Sequence, residues 1–370
     1  MHLRPSALAL LVAVLGSVTC AHAQPAGGRG RSGITKEQYL SEMGRVLGDI
    51  EAKEKSARGA RRVQVHANLF LAHEAFIAWT PTSTLKRAVD AFKEAGVAQV
   101  DLNMGLFPWV GKDEAAIKKY DEVVEHIRKA GMRVAVNPQY SPLRHRVRSL
   151  EEWREKALPV YEEIAGRYKP DVFVVVHEPT TMASRMRVRK SKPGQWVDFA
   201  REATRVVKAR SPRSRIGAGG LASEKKFFEA FAGMKEIDVL TLDIYALRAL
   251  PTYEEMVKTA RKHGKPVYVE ETWRPPYFKL ERGMSLDDVA VKSVGDRSFE
   301  SMDVKWMRTI AAWAAANGVE AITPVWMQTF FAYGGDGTEA FDKKYLEEVM
   351  AAIDKGRRTA TFEALKDLGR

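Results

Sequence analysis

Two glutamates, Glu178 and Glu271, each follow a short run of β-branched residues, Asp171-Val-Phe-Val-Val-Val-His177-Glu178-Pro179 and Lys265-Pro-Val-Tyr-Val-Glu270-Glu271-Thr272-Trp273. An ionisable residue placed where a buried parallel strand gives way to a loop is where α/β barrels keep their chemistry. Two carboxyl groups facing one cleft could cleave a glycosidic bond, one giving a proton to the leaving oxygen and the other attacking the anomeric carbon. Their surroundings would then have to push the two acidities apart, and an ionised Glu271 would itself favour the protonated form of Glu178. Alternation along the second strand puts Val267, Val269 and Glu271 on one face and Tyr268 and Glu270 on the other. Glu271 is therefore expected to point inward and Glu270 away.

The elements that must position these residues repeat along the chain. Glu94-Ala-Gly96-Val, Lys129-Ala-Gly131-Met, Lys262-His-Gly264-Lys and Ala316-Asn-Gly318-Val each close an amphipathic helix on a glycine and enter an apolar strand. Strands are predicted at 63–67, 98–103, 133–137, 172–177, 215–218, 239–244, 266–271 and 321–326. Between 113 and 130, Ile117, Tyr120, Val124 and Ile127 form one apolar stripe, as a helix covering a sheet requires. Strand and helix alternating in this way give an α/β fold, a single (β/α)8 barrel over 61–357 with parallel strands and right-handed crossovers.

The polar residues at the C-terminal ends of these strands converge on one mouth: His66, Asn68, Asn103, Asn137, Gln139, His177, Glu178, Asp243, Tyr245, Glu270, Glu271, Trp326 and Gln328. Any one alone reads equally well as a loop cap. Their recurrence at the same end of almost every strand is what marks a site.

With those residues in place, the chain resembles clan A of the glycoside hydrolases, over about residues 61–355. The resemblance rests on Glu178-Pro179 ending strand 4, Glu271-Thr272-Trp273 ending strand 7, Tyr245 ending strand 6 and Trp326 ending strand 8. It implies a retaining hydrolase with Glu178 as acid/base, Glu271 as nucleophile, Tyr245 holding the nucleophile and Trp326 stacking on the sugar. Trp273, Asn103, Asn137, His66 and Asp243 would complete the substrate site. Two departures stand out: His177 occupies the position before the acid/base where the family commonly has Asn, and Asn103 lies where an arginine is usual. An imidazole N–H can still donate to a sugar hydroxyl.

The N-terminus reads as a secretory signal over 1–23: Arg4, an apolar stretch from Ala7 to Leu15, then Ala21-His22-Ala23. Cys20, the only cysteine, falls inside it, so a processed chain would carry no thiol, disulfide or Cys metal site. Residues 24–60 are expected as a Gly/Pro/Arg-rich tether followed by a helix over 33–57, and 358–370 as a tail. No later segment approaches the ~20 apolar residues of a membrane span.

The formal net charge is +12, or +11 without Arg4. Arg144, His145, Arg146 and Arg148 follow strand 3, Arg185, Arg187, Arg189, Lys190 and Lys192 follow strand 4, and Arg248 and Arg274 follow strands 6 and 7. Guanidinium forks suit carboxylates and sulfates, so a glycan bearing uronic acid or sulfate groups is the expected partner. No nucleic-acid module is recognisable and no cofactor is expected. Phe107, Trp109, Tyr140, Tyr277, Phe330, Phe331 and Tyr333 could add stacking platforms, and 274–300 could form a wall or lid. Two other classes stay open at this point. One is a metal-dependent barrel enzyme using His66, His177, Glu178 and Asp243; the other is a carbohydrate-binding barrel without catalysis.

Overall fold

The computed structural model describes residues 35–55, 62–71, 74–139, 147–186, 188, 191–275 and 293–370. The expected signal and tether, Cys20, Tyr140, Arg144, His145, Arg146, Arg187, Arg189, Lys190 and Tyr277 lie outside the described residues.

The expected strands are all present: β1 (Gln64–Leu71), β2 (Gln99–Gly105), β3 (Arg133–Gln139), β4 (Val172–His177), β5 (Arg215–Gly220), β6 (Val239–Ile244), β7 (Val267–Thr272) and β8 (Ala321–Pro324). They pair in chain order, every pair parallel, and β8 closes on β1. β1, β2, β3 and β5 run further at their C-terminal ends than hydrophobicity indicated. Those extra residues include Asn68 and Gln139, polar side chains on backbone that still belongs to the ladder.

Apolar residues fall into two groups according to face. Val134, Val136, Phe173, Val175, Leu240, Leu242, Val267 and Val269 belong to the large core between strands and helices. Ala135, Val172, Val174, Val239, Tyr268 and Ala321 form a separate cluster on the opposite face of the strands, inside the barrel. The floor of the barrel is thus a small apolar plug, and polar side chains lie above it.

Outer helices follow the strands, with Gly96, Gly131, Gly264 and Gly318 at positive φ where four of them end. In the helix Glu114–Lys129, Ile117, Tyr120, Val124 and Ile127 are buried as the stripe predicts, and the Asp113 side chain accepts from the Ala116 N–H as N-cap. The N-terminal helix, Lys36–Lys55, packs on the outside of the helix Glu300–Ala316, where the Thr309 hydroxyl donates to the Leu47 carbonyl at 3.2 Å. Residues 358–370, set outside the barrel in the sequence reading, contain the helix Ala360–Gly369, which buries Phe362 and Leu365 against β1 and the helix Glu300–Ala316. It fills the outer place that follows β8.

Arg274 was expected to line a basic cleft, and the structure corrects this. Its side chain is 2% exposed, Nε donates to Asp303 at 2.5 Å and Nη2 to the Ser293 carbonyl at 2.7 Å. The guanidinium lies 4.0 Å from the Phe299 ring centre. Asp303 also accepts from the Tyr333 hydroxyl at 2.8 Å. Burial pushes Asp303 up to about 6 even though Arg274 and Tyr333 pull it down. The physical reason for the correction is the helix that follows β7, which brings a buried carboxylate to the arginine. Replacing Arg274 by leucine would strand that carboxyl, and urea unfolding should record a loss of about 3–5 kcal/mol; a loss below ~1 kcal/mol would mean that the arginine is not anchored as described.

Candidate active site

Glu271 ends β7 and is fully buried. Asn103 Nδ2 on β2 and Gln139 Nε2 on β3 donate to its Oε1 at 2.8 and 3.3 Å, and the Tyr245 hydroxyl after β6 donates to Oε2 at 2.5 Å. Burial, reinforced by Glu271, holds the Tyr245 phenol well above its ordinary range, so it stays a donor. Three donors from three strands address this carboxyl, an arrangement that suits a carboxylate. Tyr245 sits where the sequence expected it. Asn103 turns toward Glu271, and Gln139 joins it.

The inward/outward assignment for β7 is overturned. Tyr268, expected outside, belongs to the inner cluster, and Val267 and Val269 pack outside. Glu270 therefore points inward: its Oε1 accepts from Asn137 Nδ2 at 2.6 Å, and its Oε2 lies 3.6 Å from His177 Nδ1. Glu271 points inward as well, because the ladder slips at this place. Leu242 and Asp243 of β6 pair with Val269 and Glu271, and Ile322 and Pro324 of β8 pair with Val269 and Thr272. One extra residue in β7 breaks the alternation and turns two consecutive glutamates into the lumen.

A second slip, between Val174 and Val176 of β4, sets up His177 opposite Gly219. His177 lies at the centre of the polar layer, with Nδ1 3.7 Å from Asp243 and 3.6 Å from Glu270, and Nε2 3.5 Å from Glu271. Burial alone would lower its basicity, but Asp243, Glu271 and Glu270 together outweigh this and hold it well above the ordinary imidazole value. Burial in turn raises Asp243 and Glu270.

Glu178 is 2% exposed and has φ 44° and ψ 67°, the left-handed region, at the head of the short helix Pro179–Arg185. Its backbone N–H donates to the Gly219 carbonyl at 3.1 Å, and its Oε1 has no hydrogen-bond partner. Burial pushes this carboxyl up to about 8; Glu271 and Glu224 add to the push, while His177 and Arg185 oppose it. A buried glutamate near neutral acidity beside a hydrogen-bonded one is the pairing that acid/base chemistry needs.

The other expected site residues are less central. His66 sits with Gln99 at 3.2 Å and Asp101 at 3.7 Å, edge-on to Tyr268, so it contributes to packing inside the barrel. Trp326 is 2% and Trp273 1% exposed, and Trp326 meets Phe341 edge to face at 5.6 Å. Neither offers an open ring face here. Trp109 stacks on Tyr120, and Phe330, Phe331 and Tyr333 are buried, so these expected platforms pack in the core. Arg148 and Arg248 are exposed.

Sequence reasoning missed one residue that matters, Glu224, and placed Asn68 only among the strand-end polar residues. Asn68 is fully buried with both amide atoms unpartnered. Glu224, 1% exposed, accepts from Thr180 and Leu221 directly behind Glu178. The metal set drawn from the sequence is not brought together; among the described residues His177, Asp243 and Glu270 place one ligand-type atom each within 4.8 Å of one another. A protonated imidazole answers the negative charge there.

No family model and no curated protein matches the chain. Solved structures do match in fold. An exo-β-1,4-mannosidase from Opitutaceae bacterium strain TAV5 aligns with a TM-score of 0.57 at 15% identity over 84% of this chain, and this chain spans only 60% of that one. A GH5_18 protein from Streptomyces cattleya in complex with GlcNAc aligns with a TM-score of 0.54 at 12% identity, covering 84% of this chain and 80% of the other. An endoglucanase from the hyperthermophilic Thermotoga maritima aligns with a TM-score of 0.51 at 17% identity, covering 78% and 96%. At these identities the likeness establishes the barrel and no more.

β5 and β6 approach closely at Gly219, where a Cβ would overlap the Thr241 carbonyl of β6. Gly219→Ala should destabilise the protein by about 1–3 kcal/mol or more, by forcing β5 away from β6. Unchanged denaturant midpoints would show that the two strands have slack.

Proposed function

We propose that this chain is a retaining glycoside hydrolase acting on a β-linked poly- or oligosaccharide. One observation carries the reading: two buried glutamates stand at the ends of β4 and β7, Glu271 held by three donors and Glu178 with its Oε1 unpartnered among the described residues. The clan resemblance and the names of the fold neighbours, a mannosidase and an endoglucanase, agree with it.

In this reading Glu271 attacks the anomeric carbon as the C–O bond to the leaving group breaks, and Glu178 transfers its proton to the departing oxygen. Water then enters, Glu178 takes a proton from it, and the resulting hydroxide equivalent releases Glu271 with net retention. Tyr245, Asn103 and Gln139 keep Glu271 aimed through both steps. His177 and Asn68 supply polar atoms for sugar hydroxyls.

Two finer parts belong to the same proposal. The N-terminal 1–23 is a signal, so the enzyme works outside the cytoplasm. The substrate carries uronic acid or sulfate groups, which Arg148 and Arg248 on the rim would meet. Turnover of an acidic glycan should then fall as salt rises, whereas salt-insensitive cleavage of neutral glycans alone would remove that part.

Product release from neutral, uronic-acid-containing and sulfated glycans should be lost in both Glu178→Ala and Glu271→Ala and should survive a chelator. NMR of the first product formed should show the retained anomer. Because Glu178 must be protonated to act and is pushed up to about 8, kcat/KM should hold through neutral pH and fall as pH rises through that value. Turnover retained in both variants, or abolished by the chelator, would sink the assignment.

A further inference from the structure

Glu178 stands at the N-cap of the helix Pro179–Arg185, where a short acidic or polar side chain would ordinarily fold back onto the first free amides. It makes no such bond. Pro179 has no N–H, so the first amide that needs a partner is that of Thr180. Glu224, which follows β5, accepts from the Thr180 N–H at 2.6 Å and from its hydroxyl at 2.6 Å through Oε1, and from the Leu221 N–H at 2.8 Å through Oε2. Gly220 makes room for this, since a Cβ there would overlap Glu224 Oε2 and come within 3.0 Å of the Glu178 Cα.

We infer that Glu224 is a positioning residue for Glu178: it caps the helix in place of the Glu178 side chain and so leaves that carboxyl in the lumen, free to meet a substrate. The inference rests on Glu178 being the acid/base. The charged and titratable groups around Glu178 are His177, Glu271, Glu224, Arg185, Asp243 and Tyr245. Of these, Glu224 is the carboxyl placed behind it, against its backbone and away from the bond to be cleaved. Removing Glu224 would leave the Thr180 amide for Glu178 to cap, drawing the acid out of place. Replacing it by glutamine would keep an amide oxygen for Thr180, give up the bond from the Leu221 N–H and, by removing the charge, make Glu178 give up its proton more readily.

The test uses Glu224→Ala and Glu224→Gln in the full chain. The probes are β-glycosides of mannose, glucose and xylose carrying either 2,4-dinitrophenol, which departs without a proton, or 4-methoxyphenol, which needs one. Glu224→Ala should lower kcat/KM for the methoxyphenyl glycoside by about 10²-fold, the range of a lost general acid, and leave kcat/KM for the dinitrophenyl glycoside nearly unchanged. Glu224→Gln should keep most of the rate at its optimum and move the alkaline limb of kcat/KM to lower pH. Equal slowing of both probes, or of neither, would overturn the inference, as would an unmoved alkaline limb. If the wild type turns over neither probe, the glycosidase reading fails on its own, and the positioning role is then read by NMR. The 13C-labelled Glu178 carboxyl, assigned with Glu178→Gln, should titrate at lower pH in Glu224→Gln than in wild type, and an unshifted titration would overturn the inference.

Discussion

Four carboxyl groups, Glu178, Asp243, Glu270 and Glu271, surround one imidazole inside the barrel, and all are at most 4% exposed. Bringing so much like charge out of water is the constraint that the rest of the site answers. An isolated buried carboxylate is costly, and such groups persist only when they are hydrogen-bonded, paired or protonated. Each answer is used here. Glu271 is bonded by Asn103, Gln139 and Tyr245, Glu270 by Asn137, and Glu224 by Thr180 and Leu221. His177 faces Asp243, Glu270 and Glu271 as a cation. Glu178, whose Oε1 has no partner among the described residues, is pushed by burial toward its protonated form.

Backbone irregularity makes this crowding possible. A regular strand sends alternate residues into the lumen, so β7 could offer only one of Glu270 and Glu271. The extra residue in its pairing with β6 and β8 sends both inward, and the slip in β4 lines His177 up with Gly219. Gly219 and Gly220 then keep the neighbouring strand end free of side chains; Thr241 comes close at Gly219, and Glu178 and Glu224 fill the space at Gly220. The positive φ of Glu178 belongs to the same design, because it turns the chain from strand to helix within one residue and leaves the carboxyl on the inner side.

This division explains what could be read from sequence. Strands buried on both faces announce themselves as runs such as Val172–His177, and helix ends as glycines, so the barrel was legible throughout. The site was legible as a set of polar residues at strand ends, because topology alone brings those ends together. The orientation of Glu270 was not, since a bulge is fixed by the pairing of three strands and leaves no mark on the alternation of one. Arg274 was misplaced because its partner Asp303 comes from the following helix and is invisible to local charge counting. Glu224 escaped notice because the strand before it ends in Gly219-Gly220, which offers no polar side chain at the mouth. The clue was a glutamate three residues after Leu221 at the head of a helix, a capping pattern rather than a catalytic one.

The carboxyls of Asp243 and Glu270 lie on the Nδ1 side of His177 and bear on what that imidazole can do. A neutral imidazole donates from one nitrogen only, whereas its cation donates from both. With Asp243 and Glu270 on the Nδ1 side and Glu271 on the Nε2 side, the charge below keeps His177 protonated and so keeps an N–H directed at Glu271 and the sugar space beside it. An asparagine in that position would donate without such support. The histidine brings with it the buried acids that favour its charged form, and it places a further N–H 3.5 Å from Glu271, beside the three donors already there. His177, Asp243 and Glu270 therefore act as one unit, and each has its meaning only in the presence of the other two.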